Sequence, residues 1–288
     1  MFDAFKVFDH FDGDGAHKRE LARVGICPCR ERPDRTQDVF GIAGLEEIDR
    51  PERRLRVGVK SLQFGDLRVP AGEGPFPLAL VLHGGYWQAI YNLIHLGHLC
   101  EALLGAGIAS WNLEYRCVGD PGGEWPAAAE DLELALAHVD RLPFPSDGRA
   151  VLVGHSAGGQ LALWAAKRAS LPVVALAPVS DVRDAVSRRG SDSAPARYMA
   201  PEHFADGSPL ELLPLGVPQI LVHGTADDSV PYEMSERYVA SAGPDAELVT
   251  LDRAGHFEPI DPLSAEWPAV QAAIERLLET RGSDARPR

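Results

Sequence analysis

The sequence predicts an α/β fold, with a mostly parallel central sheet, helices on both faces and a small lid insertion. Three observations carry this. Continuous apolar runs such as Leu78-Ala79-Leu80-Val81-Leu82 read as strands buried on both faces. Segments of helical spacing alternate with those runs, the pattern of a covered parallel sheet. Glycine-bearing turns follow several of the strands, at His83-Gly84-Gly85, Gly154-His155-Ser156-Ala157-Gly158, His223-Gly224 and Ala254-Gly255.

Taken in order, Val57 to Phe64 alternates and reads as a first strand, and Leu78 to Leu82 as a central one. Leu93 to Leu104 has helical spacing and stops at Gly105-Ala106-Gly107. Ile108 to Leu113 reads as a strand. Pro126 to Leu142 reads as an amphipathic helix with Leu132, Leu136 and Val139 on one stripe. The strand at Val151, a helix over Ala157 to Ala169 and a strand over Val173 to Ala177 follow. Gln219 to Val222 is a strand, Glu233 to Ala242 a helix, Ala246 to Leu251 a strand and Glu266 to Thr280 a closing helix. Residues 53–280 form one domain, and about 180–215 form its lid. The lid lies where open α/β sheets bind ligands, above the carboxyl ends of the strands. It carries Asp181, Arg183, Arg188, Arg189, Tyr198, Met199, His203 and Phe204, with no evident helical pattern.

Residues 1–52 are charge-dense, weakly periodic and read as a partly disordered N-terminal extension; residues 281–288 read as a disordered tail. Asp12-Gly13-Asp14-Gly15 is not a calcium loop, because the following Ala16 and His17 misplace the third carboxylate and the glycine.

With 288 residues and 45% apolar content, the chain can bury a substantial core. Its formal charge of −14 excludes nucleic acid and anionic membranes as expected partners, since both require a basic face. Cys27, Cys29, Cys100 and Cys117 lack metal-ligand spacing and read as free thiols of a reducing compartment. No apolar run is long enough to span a membrane, and the N-terminus lacks a signal-peptide core, so the expected location is cytoplasmic.

The chemistry begins at Gly154-His155-Ser156-Ala157-Gly158, a G-x-S-x-G turn between a strand and a helix. Such a turn strains the serine and lifts its Oγ clear of the sheet. A serine hydroxyl is a weak nucleophile until a base takes its proton, so a histidine and an orienting carboxylate must follow. His256, in Ala254-Gly255-His256-Phe257, stands after the last strand. Asp227 and Asp228 stand after the strand at 219–222, and either could instead close an Asx-turn of its own loop. His83 and His223 end strands and read as loop braces. His155 is expected to point away from the turn, and His95, His98 and His138 to be surface or packing residues on helices. The paired glycines after Leu82 free backbone N–H groups to face a developing oxyanion, with the N–H of Ala157 as the second donor.

These residues resemble the α/β-hydrolase superfamily over about Val57 to Thr280. Within it, His83-Gly84-Gly85-Tyr86-Trp87 is similar to the HGGxW loop of kynurenine formamidases and their carboxylesterase relatives. The resemblance implies oxyanion donors at Gly85, Tyr86 and Ala157, and a triad of Ser156, Asp227 and His256. His223-Gly224-Thr225-Ala226-Asp227 matches the family's acid loop, whose first aspartate is the triad member. Glu124-Trp125-Pro126 is also familiar from these enzymes. Residues 1–52 match no motif. The implied activity is hydrolysis of a carboxylic ester or related small acyl substrate, with no cofactor and no metal. Arylformamidase action is the alternative, in which Arg197, Tyr198 and Phe204 of the lid could hold an anionic aryl group. Acylpeptidase, acyltransferase and non-catalytic receptor roles rank lower, and a homodimer stays open.

Overall fold

The computed structural model describes residues 53–280. The expectations for residues 1–52, for Cys27 and Cys29 and for the tail lie outside the described residues.

Eight strands form a single sheet. They are β1 (Arg53–Arg56), β2 (Phe64–Arg68), β3 (Phe76–Leu82), β4 (Ala109–Leu113), β5 (Ser146–His155), β6 (Val173–Leu176), β7 (Gln219–Gly224) and β8 (Ala246–Leu251). Their spatial order is β1-β2-β4-β3-β5-β6-β7-β8. The β1–β2 and β2–β4 pairs are antiparallel, and β4, β3, β5, β6, β7 and β8 run parallel. The chain steps from β3 outward to β4 and then back across to β5. The carboxyl ends of β3 and β5 therefore meet at a reversal of strand order, the position where open α/β sheets form a ligand crevice. In register, Leu82 lies opposite Gly154, which sets the His83 loop beside the Ser156 turn.

The two faces of the sheet carry separate cores, and the strand alternation assigns each residue to one. Leu78, Leu80, Leu82 and Leu152 pack with Leu161 and Trp164 of the helix Ala157–Ala169. Ala79, Val81, Val151 and Val153 pack on the other face against Leu99 and Leu103 of the helix Gly97–Gly105 and Ile274 of the helix Trp267–Thr280. Helices thus cover both faces, which is why the central strands read as unbroken apolar runs.

Two expected elements differ. Val57 to Phe64 is not one strand: Val57 to Gln63 is the connection between β1 and β2, and Phe64 opens β2. The Val57 N–H donates to Gln63 O at 2.9 Å, and the Lys60 N–H to Gln63 Oε1 at 3.0 Å. Val59 is 99% exposed, so its apolar character reflects no core position. The true strand β2, Phe-Gly-Asp-Leu-Arg, conceals its nature because its buried charges are paired. Arg54 holds Asp66 at 2.6 Å, and Arg68 holds Glu101 at 2.7 Å. The helix expected over 126–142 ends at Leu136. The His138 N–H bonds to Ala135 O, three residues back, so the last turn tightens into a short 3-10 segment at Val139–Arg141.

The lid is helical. Val182–Arg189 starts at Asp181, whose carboxylate accepts the Asp184 N–H at 3.0 Å. Ala194–Tyr198 and Phe204–Gly207 follow with single 3-10 turns. Tyr198, Met199 and Phe204 are buried and join the core beneath.

The bend after β5 depends on a close backbone approach. A Cβ on Gly158 would overlap the carbonyl oxygens of Leu82 and His83, and one on Gly154 the carbonyl of Gly158. Backbone cannot rotate away as a side chain can. Gly158→Val is expected to lower the unfolding free energy by about 3 kcal/mol or more, measured by urea denaturation.

Candidate active site

Ser156 sits between the end of β5 and the first residue of the following helix, at φ 55° and ψ −117°. This backbone region is unfavourable for a residue with a Cβ, at a cost of roughly 1–3 kcal/mol. The surrounding bonds over-determine it. The Ser156 N–H donates to Leu176 O at 2.9 Å, and its carbonyl accepts the N–H of Gly159 at 2.9 Å and of Val179 at 3.1 Å. The turn is therefore locked from β6 and from the lid connection as well as from its own helix.

Asp227 follows β7 and is the aspartate that meets His256. His256 Nδ1 lies 2.7 Å from Asp227 Oδ2, with both side chains buried. Asp228 is occupied elsewhere, accepting the Ser229 hydroxyl at 3.0 Å. Asp227 also caps its own loop, since Oδ1 accepts the N–H groups of Ser229 at 2.8 Å and Val230 at 2.9 Å. The Asx-turn and the histidine contact are thus compatible roles for the two oxygens of one carboxylate. A second imidazole shares Oδ2. His223 Nε2 lies 3.0 Å from it, while His223 Nδ1 faces Ser235 Oγ at 2.7 Å. His223 braces the acid loop through the carboxylate itself. Burial alone would raise the Asp227 pKa; the hydrogen bonds from His223 and His256 outweigh it and hold the carboxyl well below its usual range.

The loop after β3 turns through three successive positive-φ residues: Gly85 at 110°, Tyr86 at 49° and Trp87 at 54°. A Cβ on Gly85 would enter the Tyr91 ring. Trp87 anchors the loop, donating to Gln160 Oε1 at 2.9 Å and stacking on Tyr198 with centroids 4.3 Å apart. Gln160 in turn donates to Gly207 O at 2.8 Å, so one buried cluster ties the loop, the Ser156 helix and the lid. Below it, the Tyr115 hydroxyl donates to His83 O at 2.6 Å, and His83 Nε2 lies 3.1 Å from Glu114. His83 is a loop brace, as the sequence indicates. Ala157 is the first residue of its helix, and the leading N–H groups of a helix have no intrahelical acceptor.

One histidine departs from expectation, and another takes the packing role that was one of its two expected ones. His155 does not point away from the site. Its Nε2 lies 3.0 Å from the His256 carbonyl oxygen, and its Nδ1 lies 3.2 Å from His95 Nε2. A carbonyl only accepts, so His155 carries its proton on Nε2 and receives the proton of His95 Nε2 at Nδ1. His95 is accordingly no surface residue but the second layer of a stack that holds the His256 loop. Burial, reinforced by neighbouring histidines, pushes His95 down to about 3 and His155 well below the ordinary histidine range. Both stay neutral, as the hydrogen-bond chain requires. The sequence carried no signal for this pairing beyond the presence of the two residues. Tyr198 and Phe204 of the lid are packing residues rather than ligand contacts. Trp125 is likewise structural, set edge-on to Trp164.

Ser156, His256, Gly85 and Tyr86 line one cavity of about 640 Å³. Its remaining walls include Tyr91, Phe257, His95 and His155, and the lid residues Arg188, Arg189 and Arg197. Among the described residues, no cluster of three or more His, Cys, Asp or Glu side chains could hold a metal ion. None of the helices there is long and apolar enough to cross a membrane.

The sequence model of the alpha/beta hydrolase family matches residues 79–219, the segment that contains the end of β3, the loop after it and the strained serine turn. The chain has the α/β-hydrolase fold, and the family's sequence model matches its central segment. Its fold recurs in solved structures of that kind. A proposed thioesterase from Silicibacter sp. TM1040 is 26% identical, with a TM-score of 0.64 over 77% of this chain and 84% of that one. A propionate-bound esterase from Thermogutta terrifontis is 19% identical, with a TM-score of 0.61 over 78% and 92%. An esterase from the archaeon Pyrobaculum calidifontis is 22% identical, with a TM-score of 0.61 over 76% and 81%. A search of curated protein sequences finds no match.

The Asp227 carboxyl is more acidic folded than in the unfolded chain, where its pKa is about 3.9. The ionised form is the one the fold favours. Its stabilisation is therefore complete above about pH 5 and is lost as pH falls below about 4. Asp227→Asn is expected to be less stable than the native chain at pH 7, with a gap that narrows at pH 3; urea denaturation at both pH values measures it.

Proposed function

We propose that this α/β hydrolase cleaves carboxylic esters or related small acyl substrates through Ser156, His256 and Asp227. Asp227 holds His256, and His256 shares one cavity with the strained Ser156; that arrangement carries the reading. Ser156 Oγ attacks the carbonyl carbon, and His256 Nε2 takes the hydroxyl proton. Asp227 Oδ2 accepts from His256 Nδ1, which keeps Nε2 free as a base and then stabilises the imidazolium. The N–H groups of Gly85, Tyr86 and Ala157 receive the negative charge of the tetrahedral intermediate. His256 returns the proton to the leaving group, and water repeats the sequence on the acyl-enzyme.

His223 and the Ser229 and Val230 amides fill the remaining positions on Asp227, so its carboxylate has little freedom to turn. His155 fixes the carbonyl of His256 itself. Preorganisation of this kind spares the reaction the cost of ordering its base. The esterases of the same fold support the ester assignment.

A second reading, cleavage of an aryl formamide, draws on the aromatic side chains of Tyr91 and Phe257 in the cavity wall, which suit an aromatic leaving group. N-formylkynurenine, assayed beside short p-nitrophenyl esters, separates the two.

Ser156→Ala is expected to reduce p-nitrophenyl ester turnover by about 10,000-fold or more, and Asp227→Asn by about 1,000- to 10,000-fold. A fluorophosphonate should label Ser156 in the native chain and leave Ser156→Ala unmodified, as read by intact mass. Comparable turnover by native chain and Ser156→Ala would overturn the mechanism.

A further inference from the structure

The cavity at Ser156 holds an excess of positive charge that acyl cleavage does not use. Arg188, Arg189 and Arg197 line it against one acidic side chain, Asp192. The whole chain has a formal charge of −14. An acidic surface disfavours anions in general, so a cationic wall beside the nucleophile is a local reversal of the protein's own field.

The three arginines have different tasks. Arg188 is committed to Asp184, at 2.8 Å. Arg189 lies over the Tyr86 ring, 4.3 Å from its centroid, and donates to the Tyr86 hydroxyl at 2.6 Å. Arg197 donates from Nη1 to the Asp192 carbonyl at 3.0 Å and has no carboxylate partner among the described residues. Its side chain is exposed.

An uncharged group nearby points the same way. Ser193 lines the cavity between Asp192 and Ala194. Its Oγ is buried and has no hydrogen-bond partner among the described residues. It occupies the N-cap position of the helix Ala194–Tyr198 yet makes no capping bond. A buried hydroxyl is rarely left without a partner in a native protein.

We propose that the substrate carries, besides its scissile acyl bond, an anionic oxygen group (carboxylate, sulfate or phosphate) bound by Arg197 and Arg189 and by the Ser193 hydroxyl. A guanidinium presents parallel N–H donors that match two oxygens of such a group, and the hydroxyl supplies a third donor. A cavity of about 640 Å³ accommodates a small acidic ester together with the reacting carbonyl. The inference rests on the ester-hydrolase reading and narrows it to acidic substrates.

Matched ester pairs test it on the full chain. Mono-p-nitrophenyl glutarate against p-nitrophenyl valerate places the charge on the acyl side. 4-Acetoxybenzoate against its methyl ester places it on the leaving group. Rates with Ser156→Ala are subtracted, which removes spontaneous hydrolysis. The native chain should favour the anionic member of at least one pair by about tenfold in kcat/KM, the size of one charge-assisted hydrogen bond. That ratio should fall as ionic strength rises from about 0.05 to 0.5 M. Arg197→Gln should lower the ratio by about tenfold, mainly through KM, and Ser193→Ala by a smaller factor. Equal rates within both pairs, or an unchanged ratio in Arg197→Gln, would overturn the proposal while leaving Ser156-dependent ester cleavage intact. Loss of Ser156 dependence would instead remove the underlying reading.

Discussion

The structure depends on the close backbone approach at the end of β5. Gly154 and Gly158 let the strand, the following helix and the carbonyls of Leu82 and His83 meet at distances no Cβ allows. That approach pins Ser156 at a positive φ and aligns it with the loop after β3. Everything the site requires is referred to this point. The loop that turns through Gly85 and Tyr86 begins one residue after the carbonyls that Gly158 touches. The helix that begins at Ala157 is buried along nearly its whole length, so its first N–H groups cannot drift.

Around the bend, polar groups are arranged in layers that share acceptors. Asp227 divides its two oxygens between loop amides and two imidazoles. His155 and His95 hold the backbone of the His256 loop from the other side. Trp87, Gln160 and Tyr198 bind the loop after β3 to the lid. Low local dielectric strengthens such networks when every member is satisfied. The lid differs in kind. Its inner face is packed by Tyr198, Met199 and Phe204, but its arginines remain at the cavity wall. Packing and cavity lining thus fall to different residues of the same segment.

Much of this was legible in the chain. Continuous apolar runs identify a parallel sheet because both faces are covered. The helix Ala157–Ala169 and the strand Ala246–Leu251 fall where periodicity places them. The order of serine, aspartate and histidine after β5, β7 and β8 is readable because each motif combines a strand end with a turn residue. The failures share a cause. β2 hides among Asp66 and Arg68 because their partners, Arg54 and Glu101, are distant in sequence. The shortening of the helix after Pro126 is marked by a switch to hydrogen bonds three residues back, which periodicity does not encode.

The sequence by itself determined the alternation of strands and helices, the turn at Ser156 and the identity of the groups that could act on an acyl bond. These are local properties: period, glycine placement and residue chemistry within a few positions. Only the tertiary structure decided which aspartate meets His256, that His155 braces the His256 loop rather than facing away, with His95 packed behind it, and that Tyr198 packs while Arg197 faces the cavity. Each of those outcomes depends on distances between segments that are tens of residues apart in the chain. Nothing within one segment states where another will lie, until the sheet order and the bend after β5 bring them together.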